Sequence, residues 1–257
     1  LELILPELAA MDMVEERNGK AHKNNFYHTL EVLDNVATST AHAASGKDNG
    51  SNGYAVAPEH VLWLRWAALL HDIGKPRSKR WDNLQGWTFH SHNTIGARMV
   101  PGIFRRLKLP LDMKMKYVQK LVELHMRPIN IADNEVTDSA VRRLVNDAGD
   151  DIDDLLILCE ADITSKNEVR KRNFRNNYQL VREKIEDLKE RDFKRLLQPV
   201  IDGNEIMEMF HLPPSREVGE LKQYLKDAVL DGTVDNEREP LMALLMEKAK
   251  DMGLITT

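Results

Sequence analysis

"ALLHDIGKPRSKR", residues 68–80, decides how this chain is read. Upstream of it "PEHVLWLRWA" is apolar at helical spacing, with Pro58 at the expected helix start. The run ends in His71 and Asp72, an imidazole and a carboxylate side by side. Gly74, Lys75 and Pro76 then stop the helix, and Arg77, Lys79 and Arg80 follow with no acid between them. Adjacent side chains on a helix diverge by about 100°. His71 and Asp72 therefore share an ion only near a helix end, where that geometry loosens.

The remaining chain is helical by pattern. Hydrophobic residues make up 42% and charged residues 30% of 257, enough to bury a core and too apolar for a disordered polymer. "NNFYHTLEVLDNV" is capped by Asn24 or Asn25, with Phe26, Leu30, Leu33 and Ala37 on one face and His28, Val32 and Asn35 beside it. Residues 43–58 read as a polar, glycine-rich loop, and "RWDNLQGWTFH" as a small hairpin or an irregular loop. Pro101 and Gly102 are expected to kink or divide the helix that follows, and Pro128 to stop the next one. Thr137 caps a further helix. In "DIDDLLILCEADITSK" the residues Ile152, Leu155, Leu156 and Cys159 face inward. A long helix then runs from about Lys166 to Glu190, with Phe174, Tyr178, Val181, Ile185 and Leu188 as its apolar seam. The expected class is all-α: a helical bundle, a long helix and a smaller helical tail. The expected division is 1–165, with a metal-binding core at about 20–165, and 166–257.

A net charge of −5 leaves contact with nucleic acid to a local basic patch. One such patch is "VRKRNFRNNY", with Arg170, Lys171, Arg172 and Arg175. From Lys166 to Arg195 there are eleven Lys or Arg against six acids. Phe174 and Tyr178 are interleaved there, but their place on the seam favours core packing. The single cysteine, Cys159, forms no internal disulfide and no cysteine-based zinc site, which fits a reducing, cytoplasmic setting. No apolar run approaches the roughly 18 residues of a membrane span. The start at Leu1, without methionine, looks like a cut from a longer protein.

His28, His92, His125 and Asp162 each lie on a different expected helix and are the candidates to join His71 and Asp72. Taken singly, each has an ordinary reading as a hydrogen-bonded histidine or a helix cap. Asp162 lies on the inward stripe of its helix, where an unpaired carboxylate is costly and a cation would neutralise it. Nitrogen and oxygen donors suit Mn, Fe, Co, Ni or Zn, and Mg less well.

"NNFYHTLEVLDNV", "LLHDIGKP", "FHSHNTIGARM", "LVELHMRP" and "LCEADIT" together resemble the successive motifs of the HD-domain superfamily of metal-dependent phosphohydrolases. The resemblance implies a metal bound by His28, His71, Asp72 and Asp162, and a second ion at His92 and His125. Asp72 would bridge and orient water. Lys75 would face the phosphate, with Arg77, Lys79 and Arg80 on a longer nucleic-acid backbone. "VEERNGKAHKNNFYHTLEVLDNVA", "DSAVRRLVNDAGDDIDDLLILCEADITSKN" and "PVIDGNEIMEMFHLPPSREVGELKQYLKDAVLDG" extend over nearly the whole chain and resemble the C-terminal half of bacterial tRNA nucleotidyltransferases of the CCA-adding and poly(A)-polymerase class. That resemblance implies an N-terminal nucleotidyltransferase head outside this chain, tRNA as a partner, and no nucleotide addition by this part alone. Two functions follow as expectations: hydrolysis of nucleotide phosphates or 2′,3′-cyclic phosphodiesters, or a non-catalytic body that grips tRNA around a structural or vestigial metal.

Overall fold

The computed structural model describes residues 1–45, 56–133, 137–164, 168–190 and 198–255. Within these, the side chains of 42–45, 132–133, 170, 177 and 188–190 lie outside the description. The expected loop at 43–58 falls mostly outside, as do the side chains of Arg170 and Leu188. In chain order the elements are α1 (Pro6–Ala9), β1 (Glu16–Arg17), β2 (Lys20–Ala21), α2 (Asn25–Ser45), α3 (Val61–Leu70) and α4 (Lys75–Ser78). Then come β3 (Arg80–Asp82), β4 (Gly86–Thr88), α5 (His92–Arg106), α6 (Met113–Leu124), α7 (Met126–Asp133), α8 (Asp138–Ala148) and α9 (Ile152–Ala161). The long α10 (Glu168–Glu190) precedes α11 (Gly203–Phe210), α12 (Arg216–Asp231) and α13 (Arg238–Asp251). The all-α expectation holds, with two small antiparallel hairpins, β1–β2 and β3–β4, as its only strands among the described residues.

Local chemistry sets most helix ends. The Asn24 side chain accepts from the Tyr27 amide at 3.1 Å, so Asn24 is the cap of α2. Thr137 caps α8 through the Ala140 amide at 3.2 Å. Asp82 Oδ1 accepts from the Leu84 and Gln85 amides, each at 2.8 Å, and turns β3 into β4 across the paired Trp81 and Trp87. The stretch 80–88 is therefore a hairpin.

Three local expectations, those at Pro101, Pro128 and Pro58, need correction. Helix α5 runs unbroken through Pro101. Helix α6 ends at Leu124 with His125 as its C-cap, and Pro128 sits in the first turn of α7, where a missing N–H costs little. Helix α3 starts at Val61 with His60 before it, so Pro58 lies outside. On α2 the buried stripe is His28, Thr29, Val32 and Val36, while Leu30 is exposed.

The chain forms two compact units. One comprises Leu1–Asn134 and Ala148–Tyr178, the other Glu135–Asp147 and Gln179–Thr257. This division differs from a break at 165/166, because α10 contributes to both units. In the first, α2 packs on α3 and α9, α3 on α6, and α6 on α5. Its core includes Val36, Leu64, Phe104, Leu121, Leu155 and Leu158, all fully buried. The expected inward residues Ile152, Leu155, Leu156 and Cys159 are all buried. The second unit closes its own core around Ile206, Leu221, Leu225, Leu241 and Leu245. There the Arg143 guanidinium grips Asp231 at 2.7 Å and Asp227 at 3.1 Å.

Candidate metal centre

Helices α3, α6 and α9 end at one place in the first unit. The residue that caps each C-terminus is a ligand candidate: His71, His125 and Asp162. Carbonyl ends of helices carry partial negative charge, so three converging ends favour a cation. Asp72 follows His71, His92 opens α5, and His28 stands in the second turn of α2.

The six side chains gather around Asp72. Its Oδ2 lies 3.3 Å from His71 Nε2 and 3.5 Å from His28 Nε2. Its Oδ1 lies 3.3 Å from His92 Nε2 and 3.9 Å from His125 Nε2. Asp162 Oδ1 completes the first side, 2.8 Å from His28 Nε2 and 3.5 Å from His71 Nε2. Two donor groups result, His28–His71–Asp72 and Asp72–His92–His125. They share the Asp72 carboxylate, one oxygen facing each. Nearly all of this is buried, Asp72 to 1% exposure and His71 to none.

The imidazoles are held in one orientation. His71 Nδ1–H donates to the Ala68 carbonyl at 2.7 Å, His125 Nδ1–H to Val122 at 2.7 Å and His92 Nδ1–H to Phe89 at 2.8 Å. Each partner lies three residues back. A donor at Nδ1 leaves an Nε2 lone pair aimed at the centre. His71 Nε2 is buried and has no hydrogen-bond partner. His92 Nε2 and His125 Nε2 face each other at 3.3 Å, so with both Nδ1 atoms donating, two lone pairs oppose until a proton or an ion enters. A divalent cation fits this donor set. His28 is held differently: its Nδ1 lies 3.1 Å from the Lys23 ammonium and 2.9 Å from Thr164 Oγ1. The Thr164 hydroxyl is the acceptor its Nδ1–H needs when Nε2 binds an ion.

Electrostatics describe the same site without an ion. Burial opposes charge on His71, but the Asp72 and Asp162 carboxylates outweigh it and raise the group to about 10. For His125, burial and then the charge of His71 push it down to about 4. Burial would raise Asp72, yet His71 and Lys75 hold it well below the ordinary carboxylate range. Asp162 is lowered against its burial by the hydrogen bond from His28 and by the charge of His71. The Asp72 and Asp162 carboxylates thus favour positive charge at this point, which suits a cation as it suits the His71 proton.

Lys75 Nζ sits 2.5 Å from Asp72 Oδ2, at the mouth of the site. The neighbouring basic residues are less available. Lys79 Nζ pairs with Glu15 at 2.8 Å and stands over the Trp87 ring at 4.4 Å. Arg80 donates to the Lys79 carbonyl, and Arg77 is exposed. On α10, Arg172 and Arg175 are exposed and Lys171 is half-buried. Sequence reading missed Lys23 and Thr164, which stand five residues before His28 and two after Asp162. It also missed a second network at the opposite ends of α3, α6 and α9. There Asp154 Oδ2 accepts from Tyr117 at 2.8 Å and contacts His60 Nδ1 at 2.9 Å.

The HD domain family profile matches residues 25–167, more than half of the chain. This chain belongs to the HD domain family. It is 31% identical over 241 residues to an A-adding tRNA nucleotidyltransferase of Deinococcus radiodurans, covering 93% of this chain and 50% of that protein. It is 29% identical over 246 residues to a CC-adding tRNA nucleotidyltransferase of Thermus thermophilus, covering 95% of this chain and 50% of that protein. The chain spans about half the length of these curated relatives. Among the described residues no helix is long and apolar enough to cross a membrane.

Proposed function

We propose that this chain carries a metal-dependent phosphohydrolase site for nucleotide phosphoesters, in particular 2′,3′-cyclic phosphodiesters at RNA ends. One observation carries the reading: two buried donor groups that share Asp72, with His92 and His125 nitrogens 3.3 Å apart and otherwise opposed. Bound there, one or two divalent ions lower the pKa of water towards about 7 and polarise phosphoryl oxygens. His28, His71, Asp72 and Asp162 would hold the first ion and Asp72, His92 and His125 the second. Asp72 would orient the water. Lys75 sets an ammonium beside the phosphoryl oxygens. The atoms balance simply: the water oxygen bonds to phosphorus, the bond from phosphorus to one ribose oxygen breaks, and that oxygen leaves with a proton from the water.

Metal analysis of the purified chain, then turnover of bis(p-nitrophenyl) phosphate and 2′,3′-cyclic AMP with Mn or Ni, tests this. We expect bound metal and turnover in the wild type. His71→Gln and Asp72→Asn should each lower turnover at least a hundredfold, with far-UV CD kept. Turnover that survives both substitutions refutes the reading, as does a metal-loaded wild type that hydrolyses neither compound.

A second reading concerns RNA grip and is compatible with the first. The names of both relatives refer to tRNA, and Lys171, Arg172 and Arg175 set a basic face on α10. In the cytoplasm, joined to a nucleotidyltransferase domain, this chain would hold tRNA for nucleotide addition, with the buried ion structural.

A further inference from the structure

A cavity of about 160 Å³ opens beside the centre, lined by Ile129, Asp162, Ile163, Thr164 and Phe174. Its polar wall is the back of the metal centre itself. Asp162 turns Oδ1 to His28 and His71, and Thr164 Oγ1 contacts His28 Nδ1 at 2.9 Å and Lys23 Nζ at 2.6 Å. The rest of the wall is apolar, with one aromatic ring.

Phe174 is the unexpected part. The α10 seam assigns it to the core together with Tyr178. The structure separates the two. Tyr178 is buried to 4%, and its hydroxyl donates to the Leu156 carbonyl. Phe174, one turn earlier, is only half-buried and lines the cavity. An aromatic ring, two isoleucines and a hydroxyl, next to donors for a phosphate-binding ion, are the chemistry of a nucleobase site.

We infer that this cavity seats the nucleobase of the substrate, stacked on Phe174, while its phosphate lies at the centre. The inference rests on the proposed function for the phosphate end. Its content is a substrate class: one unpaired, terminal nucleotide. A volume of this order suits a single base.

The probes are adenosine 3′-monophosphate and glycerol 2-phosphate for binding, and 2′,3′-cyclic AMP and glycerol 1,2-cyclic phosphate for turnover. Each pair shares the phosphate ester and differs in the nucleoside, and the Phe174 variants isolate the part owed to the base. With the metal-loaded chain, calorimetry should give adenosine 3′-monophosphate at least about tenfold tighter binding than glycerol 2-phosphate, the scale of one stacked base. Phe174→Leu and Phe174→Ala should erase that preference, and Phe174→Trp should restore it. Nuclear Overhauser contacts from adenine H8 to Phe174 ring protons should appear in the wild type. Equal wild-type affinity for the two monophosphates overturns the inference, as does a preference that survives both ring-deleting variants. Should those variants fail to fold, the wild-type preference and the ring contacts decide. Hydrolysis of both cyclic compounds with no base preference defeats the subsite and leaves the proposed function standing. A Phe174-dependent base preference without hydrolysis defeats the proposed function and leaves the subsite.

Discussion

Gly74→Ala probes how closely the elements bearing the ligands are pressed together. Gly74 has φ −80°, which alanine adopts freely, so conformation is not the obstacle. Space is. A Cβ built at Gly74 stands 2.1 Å from the His92 carbonyl oxygen, 2.7 Å from the Gly96 amide nitrogen and 3.0 Å from the His92 carbonyl carbon. All three are backbone atoms, and no rotamer moves them aside. Relieving the worst contact only as far as 3.0 Å requires 3.0 − 2.1 = 0.9 Å of separation. That shift acts on the first residue of α5, which is His92 itself. Overpacking of this kind costs about 1–3 kcal/mol, and about 2 kcal/mol lowers the melting temperature by roughly 4–8 °C. A displacement near 1 Å at a reacting centre costs about a hundredfold in rate. The assay is metal content by mass spectrometry after dialysis, with thermal melting and phosphodiester turnover on the same samples. We expect a lower metal content, a lower melting point and turnover down by about two orders of magnitude. Gly96→Ala is the graded control. Its nearest neighbours are Val122 Cγ1 at 3.2 Å and two atoms at 3.4 Å, so tenths of an ångström suffice. Wild-type metal content, melting and turnover in Gly74→Ala would refute the reasoning, and so would a Gly96→Ala more damaging than Gly74→Ala.

Three further outcomes are expected. In the metal-free chain His71 has a folded pKa of about 10 against 6.5, so its proton stabilises fully below pH 6.5 and that stability is lost as pH rises to 10. Melting of metal-free chain across this window should show the decline, and excess Mn should remove it; a flat metal-free profile contradicts the assignment. Tyr178→Phe leaves the Leu156 carbonyl without its hydroxyl donor and should cost about 1–3 kcal/mol in urea unfolding; no change would mean that bond contributes nothing. Alanine at Lys171, Arg172 and Arg175 should weaken tRNA binding and flatten its salt dependence, read by filter binding, while Asp72→Asn leaves it intact. Unaltered salt dependence in the triple variant would place the RNA elsewhere.

Much of the site was legible because its signals are local. His71-Asp72 before Gly74-Lys75-Pro76 announces a donor pair at a helix end, and the structure places His71 as the C-cap of α3. The glycine reading was incomplete: Gly74 stops a helix, but its tighter constraint is the α5 backbone against it. Which face of α2 is buried is not legible in its own residues, because His28 and Val32 are drawn inward by elements far along the chain while Leu30 stays exposed.

Residue type and helical period, both properties of neighbours along the chain, determined the all-α class, the six donor candidates and the basic face of α10. Tertiary structure alone decided that Asp72 faces two donor groups, that Lys23 and Thr164 stand behind His28, that Lys79 pairs with Glu15, and that Phe174 lines a cavity while Tyr178 enters the core. The reason is physical. Periodicity assigns a side chain to a face of its own helix, whereas the distance between two carboxylate oxygens and four imidazoles depends on how separate helices pack, and packing is a sum over contacts distant in sequence.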